Sequence, residues 1–142
     1  MKTIFSDNYT NNLPLIDVDL LISSTSDKAS LQALLDTGNS AGIVLTKKQV
    51  DKLKINLGKP SNNPPSKCRI ADGSSIAVYW YNAVVKFKGE TMPAFLRVLD
   101  PDIVYEEKEE EPLLALFGLA IMNNYQVTFN GSQLPKSYSF AK

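Results

Sequence analysis

Between Ala33 and Thr46 the chain reads Ala-Leu-Leu-Asp-Thr-Gly-Asn-Ser-Ala-Gly-Ile-Val-Leu-Thr, so a single carboxylate, Asp36, sits in a short polar loop between two apolar runs. The pattern is that of a strand, a tight turn and a second strand. Gly38 and Gly42 allow backbone conformations that other residues resist, and Thr37, Asn39 and Ser40 are short side chains able to hydrogen-bond nearby backbone. An acid in such a loop is held by a scaffold while facing a cavity.

The flanking sequence supplies strands for that scaffold. Ile16, Val18, Leu20 and Ile22 alternate with Asp17 and Asp19, a half-buried strand whose two acids face solvent, and Leu31, Ala33 and Leu35 alternate on the way back to Asp36. Ile43-Val44-Leu45 reads as a buried strand. Thr46 followed by Gln49 has capping-box spacing for a short helix reaching about Leu53. Residues 58–66 are a loop by composition. Lys67 to Ala71 and Ile76 to Tyr81 flank the polar turn Asp72-Gly73-Ser74-Ser75 as a hairpin, and Cys68 at its base is expected to be a small buried residue. Val84–Phe87, a Lys88-Gly89-Glu90 turn and Met92–Leu99 predict another hairpin, with Pro93 at a strand start or a sheet edge. Leu113–Phe117 is expected as a core strand, Leu119–Tyr125 as a short helix and Gln126–Gly131 as a last strand ending in a turn.

The remaining stretches are expected to lie outside the core. Residues 1–12 read as a loosely held N-terminal arm, and 132–142 as an irregular C-terminal tail. Residues 100–112 form an acidic insertion, since Asp100 through Glu111 carries seven acids and one lysine. Fifteen acids balance fifteen bases overall, so the other 130 residues hold fourteen bases against eight acids. The acidity is local, and no global field points to nucleic acid. Lys47, Lys48, Lys52 and Lys54 are expected as a solvated helix face.

Several chemistries are excluded by composition. The chain has no histidine, which removes Ser-His-Asp and Cys-His catalysis and imidazole zinc sites. Cys68 is the only cysteine, so no intrachain disulfide can form. Ser139 and Lys142 have the spacing of a Ser-Lys dyad but lie at a terminus where nothing desolvates the lysine. No apolar run of about 18 residues and no leader-like N-terminal segment is present, so a soluble, cytoplasmic chain without membrane association is expected. At 142 residues with 44% hydrophobic content, a single domain is the economical reading.

On Leu34-Leu35-Asp36-Thr37-Gly38, on Leu114-Ala115-Leu116-Phe117-Gly118-Leu119, and on the hairpin Arg69-Ile70-Ala71-Asp72-Gly73-Ser74-Ser75-Ile76 between them, the chain resembles the retroviral-type (retropepsin-like) aspartic proteases, in a bacterial-type single-domain form. Three features in this order over roughly 90 residues are more specific than Asp-Thr-Gly alone. The resemblance implies an all-β fold: a closed β-barrel with a flap hairpin, one or two short helices, and one lobe per chain. It implies Asp36 as the catalytic acid, with Thr37, Gly38, Asn39 and Ser40 supporting the loop and meeting the substrate backbone. Ala71, Asp72, Gly73, Ser74 and Ser75 would form the flap. Leu116, Phe117 and Gly118 would be the second motif, packed beneath the loop. Asn39 departs from the alanine common in viral members.

Carboxylate-mediated peptide hydrolysis needs one ionised acid to activate water and one neutral acid to donate a proton, so two acids must share a site. This chain carries one Asp-Thr-Gly, and a symmetric dimer supplies the second. The expected function is therefore an aspartic endopeptidase acting through an Asp36 dyad on extended peptide, as a homodimer, with no cofactor or metal. Val127-Thr128-Phe129 is a candidate for the family's terminal dimer sheet. The alternatives are a non-catalytic dimeric module that binds extended peptide, and a dimerising structural domain tethered to a partner by the acidic segment.

Overall fold

In the computed structural model, residues 1–69, 73–101 and 114–142 are described. The strands are β1 (Thr3–Asn8), β2 (Leu15–Ile22), β3 (Lys28–Leu35), β4 (Ile43–Thr46), β5 (Ser66–Arg69), β6 (Ser75–Phe87), β7 (Glu90–Pro101), β8 (Leu114–Phe117), β9 (Gln126–Asn130) and β10 (Ser137–Ala141). Two short helices interrupt them, α1 (Lys47–Leu53) after β4 and α2 (Leu119–Met122) after β8.

Strands pair in the order β2-β3-β8-β4-β7-β6-β5, and an additional β2–β6 pairing joins the two sides. Six strands thus close into a barrel, and β5 hangs from β6 outside the closure. The alternation expected for β2 is present: Ile16, Val18, Leu20 and Ile22 are buried while Asp17 and Asp19 are exposed. Leu31, Ala33 and Leu35 of β3 face the same core as Ile43, Leu45, Val85, Leu96, Val98 and Phe117. α1 begins at the anticipated capping box: Gln49 N–H donates to the Thr46 hydroxyl, and the Gln49 side-chain oxygen accepts from Thr46 N–H. It ends with Lys54 in the left-handed region, φ 55°.

The flap strand and the following hairpin are one element. β6 runs for 13 residues and pairs with β5 at its start and with β7 from Ile76 onward, so Ser75 to Phe87 runs from the hairpin to the core without a break. Phe87 pairs with Glu90 across Lys88 (φ 48°) and Gly89 (φ 80°), whose two positive φ angles match the twist of the flanking strands. Pro93 lies inside β7, not at its start. β4 pairs with β7 only from Leu96 onward, so Pro93 has no strand on that side and its missing N–H breaks no ladder there. Cys68 is exposed on β5, whose residues are all exposed, and the expectation of burial fails because β5 has no sheet packed against it. α2 ends at Met122, shorter than expected, because Ile121 and Met122 are drawn into the core and the chain turns toward β9.

The arm and the tail are corrected outright. β1 lies in residues 1–12 and β10 in residues 132–142, and they pair antiparallel with each other, with β10 also on β9, in the order β1-β10-β9. β9 is consequently not the last strand. Aromatic contacts attach this sheet to the barrel: Phe5 stacks on Phe140 at 4.6 Å, and Phe87 meets Phe117, Tyr125 and Phe140 at 5.1, 5.9 and 6.0 Å. Lys88 bonds Asp7 at 2.7 Å, and that bond holds the Asp7 carboxyl below its ordinary value. Asp100 lies in β7, while the expected acidic run 106–111 lies outside the described residues.

Tyr138 is fully buried, and its hydroxyl donates to the Leu15 carbonyl at 2.8 Å. Burial pushes its ionisation upward from 10.0, and Tyr125 is raised to about 12 by burial and then by Glu90. Below pH 10 the folded and unfolded chains both keep these protons, whereas above it the unfolded chain loses them first and stability falls. Tyr138→Phe should lower stability near neutral pH by about 1–2 kcal/mol through the unpaired Leu15 carbonyl, and should flatten the alkaline decline, both read from urea unfolding across pH. An unchanged slope above pH 10 would assign the decline elsewhere.

Candidate active site

The Asp36 loop is built almost entirely on main-chain bonds to the β8–α2 junction. Asp36 N–H donates to the Phe117 carbonyl at 2.9 Å, carrying the β3–β8 pairing one residue past the strand. Gly118 N–H donates to Gly42 at 2.8 Å, Leu119 N–H to Asn39 at 2.8 Å, and Ala120 N–H to Ala41 at 3.2 Å. The loop therefore rests on the start of α2 along its whole width. Inside it, the Asp36 carboxylate accepts from Gly38 N–H at 3.0 Å, and the Asn39 side-chain oxygen accepts from Ala41 N–H at 3.1 Å.

Gly118 is required by contact. Its backbone is ordinary extended chain, φ −105° and ψ −174°, but a Cβ there would collide with the Ala41 carbonyl and lie 2.7 Å from that of Asn39. Gly42 is similarly confined, with a Cβ position 2.9 Å from the Phe95 carbonyl. These contacts bring Phe117 and Gly118 against Asp36, Asn39, Ala41 and Gly42. Phe117 points into the core at 0% exposure, while Thr37, Gly38 and Ser40 are exposed and Asp36 is half-buried. Of the flap residues, Gly73, Ser74 and Ser75 are described, with Gly73 at φ 87°, while Ala71 and Asp72 lie outside the described residues.

Burial of the Asn39 amide depends on the folded loop and carries no signal in the sequence. Its nitrogen is buried without an acceptor among the described residues. A cavity of about 500 Å³ lies elsewhere, lined by Asp17, Asp19, Ser30, Gln32, Lys86 and Glu90 among others, and includes no residue of the Asp36 loop.

Solved structures that match the chain include EIAV protease complexed with the inhibitor HBY-793, with a TM-score of 0.51, 19% sequence identity, and coverage of 83% of this chain and 92% of that one. The fold is retropepsin-like. No protein-family model matches the chain, and no curated protein is similar to it. Among the described residues no helix is long and apolar enough to cross a membrane.

Because Gly118 holds the retropepsin-like loop by close backbone contact, Gly118→Ala should cost roughly 2–3 kcal/mol, measured as a lowered urea midpoint. An unshifted midpoint would mean that the loop yields without cost.

Proposed function

We propose that the protein is an aspartic endopeptidase in which Asp36 from each of two copies forms the catalytic dyad. The observation that carries this reading is the seat of Asp36: a half-buried carboxylate, oriented by Gly38 N–H, on a loop bonded across to Gly118 in a retropepsin-like barrel. In the dyad one carboxylate takes a proton from water as it attacks the peptide carbonyl, and the other donates a proton to the carbonyl oxygen. Two acids this close cannot both ionise, the shared-proton behaviour familiar from aspartic proteases, so they titrate as a unit. Thr37 and Asn39 would brace the paired loops, Gly38 and Ser40 would meet the substrate backbone, and the hairpin through residues 71–75 would cover an extended peptide.

The second copy is proposed to join through β9. This strand is an edge, Gln-Val-Thr-Phe-Asn, without charge or proline, and Phe129 is 37% exposed on it. Such an edge is open to strand addition. A two-fold axis through Thr128 sets Val127 of one copy opposite Phe129 of the other and Gln126 opposite Asn130, pairings that are self-complementary and free of like charges. α2 lies between Gly118 and β9 in the chain, so pairing there links association to the floor of the Asp36 loop.

Asp36→Asn should lower peptide cleavage by on the order of 10³-fold or more while leaving peptide binding measurable. Added in tenfold excess to the wild-type chain, it should also suppress wild-type activity by forming mixed dimers. Suppression no greater than that by an inert protein would defeat the shared dyad. Phe129→Lys should give a monomer by sedimentation with correspondingly reduced cleavage; a dimeric Phe129→Lys chain would place the interface elsewhere. Peptide binding by a wild-type dimer that cleaves nothing would favour the non-catalytic module.

A further inference from the structure

The strand registers align Leu34 of β3, Leu116 of β8, Val44 of β4, Arg97 of β7 and Trp80 of β6 as a single row across five strands. Cross-strand partners share a face, and the residues next to the row, Leu35, Phe117, Ile43 and Leu96, point into the core. The row therefore lies on the barrel's other face. At one end Leu34 stands two residues before Asp36. At the other, Trp80 belongs to the strand that continues through Val78 and Ile76 to the flap.

Three members of the row are aliphatic, and the fourth is a cation with no ion pair among the described residues. The Arg97 guanidinium lies 4.2 Å over the Trp80 ring, and Trp80 meets Phe95, which is 48% exposed, edge to face at 5.7 Å. Among the described residues Arg97 Nε is buried without an acceptor and no ion pair includes Arg97. A buried donor left unpaired is costly, and an arginine keeps its charge throughout the accessible pH range. The platform is fixed in advance: Asn62 bonds both Trp80 N–H, at 2.9 Å, and the Val78 carbonyl, at 3.0 Å, while Ser61 N–H donates to the Trp80 carbonyl at 2.7 Å. A planar carboxylate arriving along the row would meet a guanidinium already held over Trp80 and without an ion pair among the described residues.

We propose that this row is a side-chain subsite of the Asp36 cleft in which Arg97, stacked on Trp80, receives a carboxylate of an extended peptide, making acidic peptides the favoured substrate class. The proposal rests on the reading of Asp36 as the centre of a peptide cleft. It assigns Arg97 to specificity, not to bond cleavage. The carboxylate can come from an Asp or Glu side chain or from a chain end.

The test uses the full-length Asp36→Asn chain and fluorescence anisotropy with octapeptides that carry Glu, Gln or Lys at each position in turn, with free or amidated C-termini. One position should favour Glu over Gln by about 10-fold, the range for a hydrogen bond to a charged group, and Arg97→Leu should bring that ratio within about twofold. Arg97→Glu should turn the preference toward Lys at the same position. Arg97→Lys, which keeps the charge, should retain a reduced preference if the leucine variant fails to fold. Loss of binding on amidation with no Glu preference would assign the same chemistry to the chain end. No carboxylate preference, a preference indifferent to Arg97, or no peptide binding at all overturns the proposal. Cleavage by the wild-type chain, assayed in parallel on the same peptides, decides the protease reading separately: an Arg97-dependent preference without cleavage sinks that reading and leaves this one standing.

Discussion

The close approach of Gly118 to the backbone of Asn39 and Ala41 is the contact on which the site depends. A loop whose amides turn inward must find acceptors, or its burial is penalised. Across the junction the needs are met by main chain, Asp36 by Phe117, Leu119 by Asn39, Ala120 by Ala41 and Gly118 by Gly42, while inside the loop Gly38 N–H is met by the Asp36 carboxylate and Ala41 N–H by the Asn39 side-chain oxygen. Because backbone does this work, the side chains of Thr37 and Ser40 remain on the open face. A side chain at position 118 would force the two segments apart and remove several of these bonds together.

The barrel turns that local contact into a surface. β8 lies between β3 and β4, so the strand that ends in Phe117-Gly118 also sets the register of the strands entering and leaving the Asp36 loop. β4 passes the register to β7, and β7 passes it to β6 along 12 paired residues. The unbroken run of β6 from Ser75 to Phe87 then spans the flap, the Arg97 platform and the aromatic core around Phe87. Slippage by one residue would turn the Leu34 to Trp80 row into the core, so burial of the other face holds the row in place.

What could be read in the sequence was what is local. The capping box at Thr46 and Gln49, the alternation of β2 and the polar loop around Asp36 are each specified within a few residues, and they fold accordingly. β1 and β10 could not be read that way. Thr3–Asn8 and Ser137–Ala141 are short, polar-rich segments that become strands only by finding each other across the length of the chain, with Phe5 and Phe140 stacking as they do. Cys68 fails the expectation of burial for the same reason, and of the two places open to Pro93 the edge is the one it takes, since exposure on β5 and an open edge beside β7 depend on which strands are neighbours. Arg97 gave no signal because its row exists only after five registers are set.

The proposed association through β9 rests on the chemistry of the sheet edges. β5 carries Lys67 and Arg69 along an exposed strand, and β1 carries Asp7, already paired with Lys88. Charge of this kind discourages edge pairing between copies. β10 closes the inner side of β9 but leaves its outer side uncovered, and on that side Phe129 remains on the same face as buried Tyr138. Folding the tail back as β10 thus provides β9 with support from within its own chain while keeping one uncharged edge open. Two copies joined there would each retain a complete barrel, and the element they lack alone would be the second acid.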